Sequence, residues 1–298
     1  MTRILLTGST GQIGWELQRS LMTLGEVISV GREFSTTGLR MDLSLPDTIR
    51  HVIREVQPGL IVNPAAYTAV DKAEAEPELA MAVNGTAPGV IAEEAKLLGA
   101  GVIHYSTDYV FNGCQATPYT EQDKPDPQNI YGKTKLAGEE AIQAVGVPYL
   151  ILRTSWVYGL RGKNFLLTML KLAREREELS VVDDQVGAPT WSRMIAESTA
   201  QILSQGIKDL IVFLSGNSGI YHLTATGQTS WYGFAKAIFE YDSKSSEHKL
   251  ETLIAISSEQ YPTPAKRPAY SSLETQKISR TFGLALPSWQ SNLELVLS

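Results

Sequence analysis

The first half of the chain alternates short apolar runs with longer stretches in which apolar residues recur at helical spacing. Five runs are almost continuously apolar and rich in β-branched residues, a pattern typical of strands buried on both faces of a sheet. These runs are RILLTG, EVISVG, GLIVNPAA, GVIHYSTDYVF and PYLILRTSWVY. The stretches between them, such as GWELQRSLMTLG and YGKTKLAGEEAIQAVG, have the spacing of helices that bury one face. The alternation predicts an α/β protein with a doubly wound parallel sheet.

After about residue 160 the pattern becomes less regular. It predicts helices at NFLLTMLKLARERE, SRMIAESTAQIL and SWYGFAKAIFEY, strands at LSVVDD and GIYHLTA, and then the proline-rich YPTPAKRPAY and a terminal helix. We therefore expect a larger domain at 1–160 plus about 186–215, and a smaller α/β lobe at about 161–185 plus 216–298. A cleft between two such lobes is a common place for a small ligand.

Composition and charge exclude some partners. The chain has 298 residues, 43% of them apolar, and a net charge of -6 with no long basic run, which argues against nucleic acid as a partner. No window approaches the ~18 consecutive apolar residues of a membrane span. The one cysteine, Cys114, leaves no internal disulfide, and the chain opens directly into an apolar run without a leader-like segment. We expect a cytoplasmic protein.

The first predicted strand ends in TGSTGQIG, which places Gly8, Gly11 and Gly14 between that strand and the first helix. Glycines at such a turn let a pyrophosphate approach the backbone N–H groups at the helix N-terminus, where the helix dipole favours negative charge. The three-residue spacing differs from the commoner G-x-G-x-x-G. The turn therefore predicts a dinucleotide site.

The end of the second strand indicates which dinucleotide is bound. An acidic residue there holds a ribose 2′-hydroxyl, whereas an arginine accommodates a 2′-phosphate. Arg32 favours NADPH, while Glu33 beside it would also permit NADH, and a surface role for Arg32 stays open. If a third strand ends near residue 42, Asp42 and Leu43 lie close to the adenine.

Tyr131 and Lys135 are four residues apart in a predicted helix, so both side chains lie on one face. An ammonium beside the phenol is expected to lower the pKa of the tyrosine towards neutrality. A solvated helix face has the same spacing. Thr107, at the end of a predicted strand, is a candidate hydrogen-bond donor to the same substrate oxygen, with local backbone capping as its alternative role.

In their order and context, TGSTGQIG, STDYVF and YGKTK resemble the extended short-chain dehydrogenase/reductases, and Thr107, Tyr131 and Lys135 match that family's Ser/Thr, Tyr and Lys positions. Four further stretches resemble the dTDP-4-dehydrorhamnose reductase branch of the family. They are NPAAYTAVDKAE (63–74), RTSWVYG (153–159), DDQVGAPT (183–190) and KRPAYSSL (266–273). The resemblance implies a Rossmann dinucleotide-binding domain and a smaller substrate-binding domain.

By this resemblance the reaction is NADPH-dependent reduction of the C4 ketone of dTDP-4-dehydro-6-deoxy-L-mannose, which gives dTDP-L-rhamnose. Tyr131 is then the acid that protonates the ketone oxygen, and Lys135 contacts the nicotinamide ribose. The implied cofactor-binding residues are Gly8, Gly11, Gln12, Ile13, Gly14, Arg32, Asp42, Leu43, Ala65, Ala66, Tyr67, Tyr131 and Lys135, with Ala65 to Tyr67 at the end of the fourth strand. The implied substrate-binding residues are Thr68, Val70, Thr107, Asp108, Trp156 and Arg267.

Within this set, Trp156 is expected to pack on the sugar ring and Arg267 to bind the diphosphate, with a core tryptophan and a surface salt bridge as the respective alternatives. Gln185 and Pro189 mark a loop expected to close over the nucleotide.

The resemblance also raises a metal question, because some family members dimerise through magnesium held by glutamates. Glu16 and Glu197 are candidate ligands here, although solvated helix faces explain both better. The four histidines show no metal-ligand spacing, and His104 is expected to be a core residue. The protein is expected to be a monomer or a homodimer, and the chemistry needs no metal.

Two other functions remain open. A nucleotide-sugar epimerase or 4,6-dehydratase has the same scaffold, but the dehydratases place a glutamate after the catalytic-site aspartate, whereas here Tyr109 follows Asp108. A non-catalytic role, like that of the regulatory subunit of methionine adenosyltransferase, is the other alternative, because such a protein can keep inherited site residues.

Overall fold

The computed structural model describes residues 2–33, 35 and 37–298. The strands are β1 Thr2–Thr7, β2 Gly25–Val30, β3 Leu60–Asn63, β4 Gly101–Thr107, β5 Tyr149–Thr154, β6 Val157–Tyr158, β7 Glu178–Val182, β8 Val186–Gly187, β9 Thr190–Trp191, β10 Gly219–His222, β11 Thr229–Ser230 and β12 Thr252–Ile256. The helices are α1 Gln12–Ser20, α2 Pro46–Val56, α3 Val70–Ala73, α4 Pro77–Met81, α5 Ala87–Leu98, α6 Ile130–Val145, α7 Phe165–Glu175, α8 Ser192–Gln205, α9 Leu210–Asn217, α10 Trp231–Tyr241, α11 Gln276–Phe282 and α12 Trp289–Leu297.

Six strands form one parallel sheet in the order β10-β5-β4-β3-β1-β2. The chain passes from β1 to β2 on one side and then returns to β3 on the other side of β1. Ligands of open parallel sheets bind outside the carboxyl ends of the strands at such a reversal. The predicted fold class, a doubly wound parallel α/β sheet, is confirmed.

The two faces of the sheet bury separate apolar clusters because successive strand side chains point to opposite faces. Ile4 and Leu6 pack in a first cluster with residues of α1, α8 and α11. Leu5 packs in a second cluster with residues of α2 and α5. Helices therefore cover both faces, which explains why the strand sequences are continuously apolar.

The sheet requires one correction to the strand numbering expected from the sequence. Between β2 and α2, the described residues form only an isolated bridge, from Gly31 to Arg40, and no strand. The segment Ala65–Tyr67 therefore follows the third strand of the chain and not the fourth. Asp42 lies in a turn, where its carboxylate accepts hydrogen bonds from the backbone and hydroxyl of Ser44.

A third apolar cluster is separate from the two at the main sheet, and α7, α10 and α12 contribute to it. Strand β12 pairs in parallel with β7 at its edge. Neither β12 nor α9 is among the elements predicted from sequence. The division of the chain into two domains stays a prediction, but β10 and α11, both within the segment 216–298 assigned to the smaller lobe, pack on the main sheet. None of the described helices is both long and apolar enough to cross a membrane.

Candidate active site

The glycine turn lies at the reversal of strand order. Gly8 has a left-handed φ of 58°, and a Cβ there would lie 3.0 Å from Ala65 Cα, at the end of β3. A Cβ on Gly14 would lie 2.1 Å from the Gly8 carbonyl oxygen, so the helix can approach the turn only without a side chain there. The N-terminus of α1 has no side-chain cap, and Gly11 at that end is exposed. The turn fits a pyrophosphate.

The two residues after Gly11 have different surroundings. Gln12 accepts a hydrogen bond from Asn164 Nδ2 at 2.9 Å and its amide lies 3.5 Å from the Val157 carbonyl oxygen, so its side chain joins α1 to the loop before α7. Ile13 packs against the first apolar cluster. Only their backbone N–H groups are therefore suited to a pyrophosphate.

Thr107 and Tyr131 meet at the carboxyl end of β4. Thr107 ends that strand, and Tyr131 lies in the first turn of α6, which Asn129 caps by accepting a hydrogen bond from Gly132 N at 2.8 Å. A Cβ on Gly132 would lie 2.2 Å from the Tyr109 carbonyl oxygen, so glycine lets the start of α6 approach the site closely.

Burial raises the pKa of Tyr131, an effect only partly offset by its hydrogen bond with Thr107, while the charge of Asp108 raises the pKa further. The expectation that Lys135 lowers this pKa is wrong for the resting protein. Its amine donates to the Tyr105 carbonyl oxygen instead, and among the described residues no hydrogen bond joins it to the phenol. Tyr131 is therefore held in its protonated form, which is the form that an acid needs.

Lys135 is 2% exposed and points towards β4. Its Nζ donates to the Tyr105 carbonyl oxygen at 2.6 Å and lies 3.3 Å from His104 Nε2. Burial lowers the pKa of Lys135 to about 8, against the opposite effect of Glu139 one turn further along α6. The amine is thus held firmly at the base of the site.

Asp108 is a buried carboxyl beside the two hydroxyls. Its Oδ1 accepts from Thr107 Oγ1 at 3.0 Å, while its Oδ2 is buried and has no protein partner among the described residues. Burial raises the pKa of Asp108 to about 6, against the opposite effect of the nearby hydroxyls of Ser271 and Thr107. An unpartnered buried oxygen carries a free-energy cost that a bound hydroxyl group can relieve.

The segment after β3 is fixed by a side chain from the π-helical turn Ala82–Thr86. Asn84 accepts from Tyr67 N at 2.8 Å and donates to the Tyr67 carbonyl oxygen at 3.0 Å. Ala65 and Ala66 are partly exposed on the same segment, and Thr68 and Val70 follow it on the way into α3. The segment thus presents backbone to the crevice above β3.

Trp156 stacks face to face on Trp231, with ring centroids 3.5 Å apart and planes at 4°. Its backbone has a left-handed φ of 46°, and a Cβ on Gly187 would lie 2.6 Å from the Trp156 ring. Gln185 accepts a hydrogen bond from Trp231 Nε1 at 3.2 Å. The ring pair thus packs against the loop that contains Gln185, and buried Pro189 lies in the same loop.

Arg267 lies at one side of a cavity of about 350 Å³. The cavity is lined by Gln185, Ser258, Tyr261, Pro262, Thr263, Pro264, Ala265, Lys266 and Arg267. The Arg267 guanidinium donates to Asp71 Oδ2 at 2.6 Å and to the Tyr109 hydroxyl at 3.0 Å. The salt bridge foreseen as an alternative role is therefore present, although it is only partly exposed.

The remaining predicted residues lie apart from this group. Arg32 is exposed just after β2, and Leu43 packs in the second apolar cluster. Glu197 forms an ion pair with Arg193 at 2.7 Å, and Arg193 also lies in the field of Glu16. The described residues contain no cluster of three or more candidate metal ligands, so the magnesium alternative gains no support.

Several residues in the site were not singled out from the sequence. They are Asp71, Asn84, Tyr109 and Trp231, together with His104, which was expected only to be buried. Each acts through a partner distant in the chain, so no local spacing could indicate it. Asn84 and Asp71 lie in or near the stretch that carries the family resemblance, which was the only available signal.

A doubly wound parallel sheet with a glycine turn after β1, a Thr107–Tyr131 pair and a buried Lys135 defines an oxidoreductase of the extended short-chain dehydrogenase/reductase class. The whole chain, residues 1–298, matches the family described as the RmlD substrate binding domain, and the protein belongs to that family. The predicted resemblance is confirmed.

Similar proteins agree with this assignment. The sequence is 47% identical to dTDP-4-dehydrorhamnose reductase of Escherichia coli over 99% of this chain and 97% of that protein. It is 45% identical to the enzyme of the same name from Burkholderia thailandensis over 97% of this chain and 95% of that protein. A crystal structure of dTDP-4-dehydrorhamnose reductase from Bacillus anthracis in complex with NADP superposes with a TM-score of 0.85, at 35% identity, covering 99% of this chain and 98% of that chain.

Proposed function

We propose that this protein reduces the C4 ketone of dTDP-4-dehydro-6-deoxy-L-mannose to give dTDP-L-rhamnose, with NADPH as the reductant. The observation that carries the proposal is the meeting of Thr107, Tyr131 and Lys135 at the carboxyl end of β4, in a chain 47% identical to a dTDP-4-dehydrorhamnose reductase. The activity and enzyme class predicted from the sequence agree with the names of the full-length relatives and are confirmed at that level.

The residues around the glycine turn fit a dinucleotide. The uncapped N-terminus of α1 and the close packing of Gly8 and Gly14 leave room for a pyrophosphate, and the backbone of Ala65 and Ala66 borders the same crevice. NADPH, when bound, supplies the hydride. Arg32 after β2 supports NADPH over NADH because a guanidinium matches a 2′-phosphate. The structure of the Bacillus anthracis relative was determined in complex with NADP.

Tyr131 supplies the proton to the ketone oxygen in this proposal. The raised pKa of its phenol keeps the proton in place until negative charge develops on the substrate oxygen. Thr107 donates a second hydrogen bond to that oxygen, and its hydroxyl then turns away from Asp108. Lys135 lies one helical turn from Tyr131, and the N–H that Tyr105 and His104 leave free is proposed to bind the nicotinamide ribose.

Substrate contacts are proposed on two sides of the site. Thr68 and Val70 border it on the β3 side, and Trp156, stacked on Trp231, is proposed to contact the sugar ring. The diphosphate is proposed to bind Arg267 beside the 350 Å³ cavity, where the loop with Gln185 and Pro189 adjoins the nucleotide.

The geometry favours reduction over dehydration. A dehydratase needs an acid–base pair at neighbouring sugar carbons, and the position after Asp108 is occupied by Tyr109, whose hydroxyl accepts a hydrogen bond from Arg267. The regulatory alternative predicts no turnover and is separated from the reductase by the assay below.

The exposed, unpaired Cys114 supports a reducing, cytoplasmic setting as a further proposal. The oligomeric state, a monomer or a homodimer, stays a prediction.

The test is NADPH oxidation by the purified protein, followed by the loss of nicotinamide absorbance. The dTDP-4-keto-6-deoxy-L-sugar is generated in the assay by a dehydratase and an epimerase. We expect consumption that needs both enzymes, and a loss of about 10²–10⁴-fold in kcat for Tyr131→Phe, with NADPH binding retained. Full activity of Tyr131→Phe would exclude Tyr131 as the acid, and no consumption by wild-type protein that binds NADPH would exclude this substrate.

A further inference from the structure

Three buried polar side chains connect Lys135 with the glycine turn. His104 Nε2 lies 3.3 Å from Lys135 Nζ, and His104 Nδ1 lies 3.1 Å from Asn63 Nδ2. Asn63 Oδ1 in turn accepts from Thr7 Oγ1 at 2.6 Å. All four side chains are no more than 2% exposed, and Thr7, Asn63 and His104 lie in β1, β3 and β4. Below, these three residues are called the buried polar chain.

The hydrogen-bond donors of Lys135 give the buried polar chain a chemical role. An ammonium has three N–H donors and accepts nothing. One is used by the Tyr105 carbonyl oxygen at 2.6 Å, and a second can be donated to His104 Nε2, 3.3 Å away, when that ring nitrogen has no proton. With two donors fixed, the third has a defined direction and is the one left for a ligand. The imidazole thus helps to aim the amine.

His104 can accept this bond only if its ring is neutral with the proton on Nδ1. Burial and the positive charge of Lys135 both hold the pKa of His104 well below its ordinary value, so the ring remains neutral through the physiological range. The position of its single proton is then set by its other neighbour, Asn63.

The amide of Asn63 can present either its oxygen or its nitrogen to Nδ1 with nearly the same heavy-atom positions. With the nitrogen facing Nδ1, as here, the ring proton is on Nε2, which suits an uncharged Lys135. With the oxygen facing Nδ1, the proton is on Nδ1, and Nε2 accepts from an ammonium. In the second pattern the Asn63 amide donates to Thr7 Oγ1, whereas in the first pattern Asn63 accepts from Thr7 Oγ1. The orientation of three side chains therefore depends on the charge of one amine.

We propose that His104 is a positioning residue that holds Lys135 for its contact with the cofactor ribose, and that the buried polar chain selects the histidine tautomer through which it acts. The inference concerns the mechanism of the proposed reductase and rests on that function for its kinetic consequences. His104 touches neither substrate nor cofactor in this scheme, since it acts through Lys135.

The other charged groups around Lys135 do not remove the need for this acceptor. On α6, Glu139 is bound through both oxygens to Arg153 of β5, at 2.6 and 2.9 Å, so its charge is largely balanced. Tyr131 lies one turn back on α6 and is protonated, and Asp108, beyond it, faces the phenol. His104 is therefore the side chain that hydrogen-bonds the amine directly.

Two substitutions test the contacts of the two imidazole nitrogens separately. Gln places its terminal oxygen or nitrogen as many bonds from Cβ as Nε2, whereas Asn places them as far out as Nδ1. His104→Gln therefore keeps an acceptor for Lys135 and loses the contact with Asn63, while His104→Asn does the reverse. Both variants are neutral, polar and slightly smaller than histidine, so a general packing defect affects them alike.

The first readout is the dissociation constant of NADPH, measured by fluorescence between pH 6.5 and 9.5 without sugar substrate. For His104→Asn we expect about tenfold weaker binding at pH 7.5 and an alkaline loss of kcat/KM that begins about one pH unit lower than in wild type. An ammonium that loses a hydrogen-bond acceptor gives up its proton more readily, so the alkaline limb moves to lower pH. For His104→Gln we expect values within about threefold of wild type and an unchanged alkaline limb. Equal effects in both variants would overturn the proposal.

The second readout uses wild-type protein and does not depend on the folding of a variant. The ¹⁵N shifts of the His104 ring, assigned by correlation to its backbone, are followed from pH 6 to 9.5. We expect a neutral ring throughout, with the proton on Nδ1 at the low end and on Nε2 at the high end. An imidazolium at pH 7, or one tautomer across the range, would contradict the proposed coupling. If wild-type protein binds NADPH but reduces no ketone, the proposed function fails, while both binding and ¹⁵N readouts remain decisive for His104.

Discussion

Arg267 and Asp71 form an ion pair, with 2.6 Å between Nη2 and Oδ2, that joins the proline-rich segment to α3. Asp71 Oδ1 also accepts from Ala265 N at 3.2 Å. The second arm of the guanidinium reaches Tyr109, whose ring meets that of Tyr131 edge-on at 5.5 Å. The proposed diphosphate ligand is thus held ready beside the proposed acid by a carboxylate that the substrate must displace or share.

Arg267→Gln is expected to weaken dTDP binding by about tenfold, which corresponds to about 1.4 kcal/mol. The amide loses the charge and the two-armed geometry that match a diphosphate. Calorimetric titration with dTDP measures the change, and NADPH affinity should be unaffected. Asp71→Asn is the control, because it removes the competing charge and keeps Arg267, so dTDP should bind at least as tightly as in wild type. Weaker dTDP binding in Asp71→Asn would instead make Asp71 essential for holding the arginine.

Asp108→Asn is expected to raise the free energy of unfolding more at neutral pH than in acid. The pKa of the Asp108 carboxyl is raised to about 6, so the folded protein binds this proton more tightly than the unfolded chain does. The ionised carboxylate therefore destabilises the fold above about pH 6, and this cost disappears as pH falls towards about 4. The difference in unfolding free energy between variant and wild type should grow by about 2 kcal/mol from pH 4.5 to 7.5.

Urea unfolding at the two pH values measures that difference, and the comparison of variant with wild type removes the contribution of the other carboxyl groups. A difference that is the same at both pH values would mean that Asp108 titrates normally. A stabilised but inactive variant would fit a functional group retained at a cost in stability.

Lys135 is expected to give kcat/KM an alkaline limb near pH 8. Burial lowers the pKa of the Lys135 ammonium to about 8, so the cation proposed to bind the cofactor ribose is lost above that pH and kcat/KM falls as pH rises. Lys135→Arg keeps its charge throughout the range and should lose the limb, although the planar guanidinium fits the site less well and lowers the rate. The pH profile of NADPH oxidation measures both. A limb that persists in Lys135→Arg would assign it to another group.

Glu139→Gln is expected to destabilise the protein by about 3–5 kcal/mol, because it leaves Arg153 charged and buried without its partner. Both side chains are at most 2% exposed, and the pair lies directly behind Lys135. The matched control is Glu197→Gln, which breaks the Arg193–Glu197 pair on an exposed helix face and should cost at most about 1 kcal/mol. Urea unfolding of both variants gives the comparison, and a similar small loss in both would show that the buried pair is dispensable.

The elements that the sequence predicted are those with a strong local signal. The five strands of the first half are continuously apolar because helices cover both faces of the sheet. Strand β12 was not predicted, because its partially exposed residues gain their partner from β7, about 70 residues earlier in the chain. Helix α9 is short and begins with five consecutive apolar residues, 210–214, so it has no helical periodicity to read.

The sequence by itself determined the fold class, the glycine turn, the Tyr131–Lys135 spacing and the family, because each depends on residues that are neighbours in the chain. The direction of the Lys135 amine was decided by tertiary structure, since its acceptors His104 and Tyr105 belong to a strand packed beneath α6. The pairing of Arg267 with Asp71 spans 196 positions, and the stacking of Trp156 on Trp231 joins residues far apart in the chain. Local spacing fixes which face of an element a side chain occupies, whereas packing fixes what meets that face.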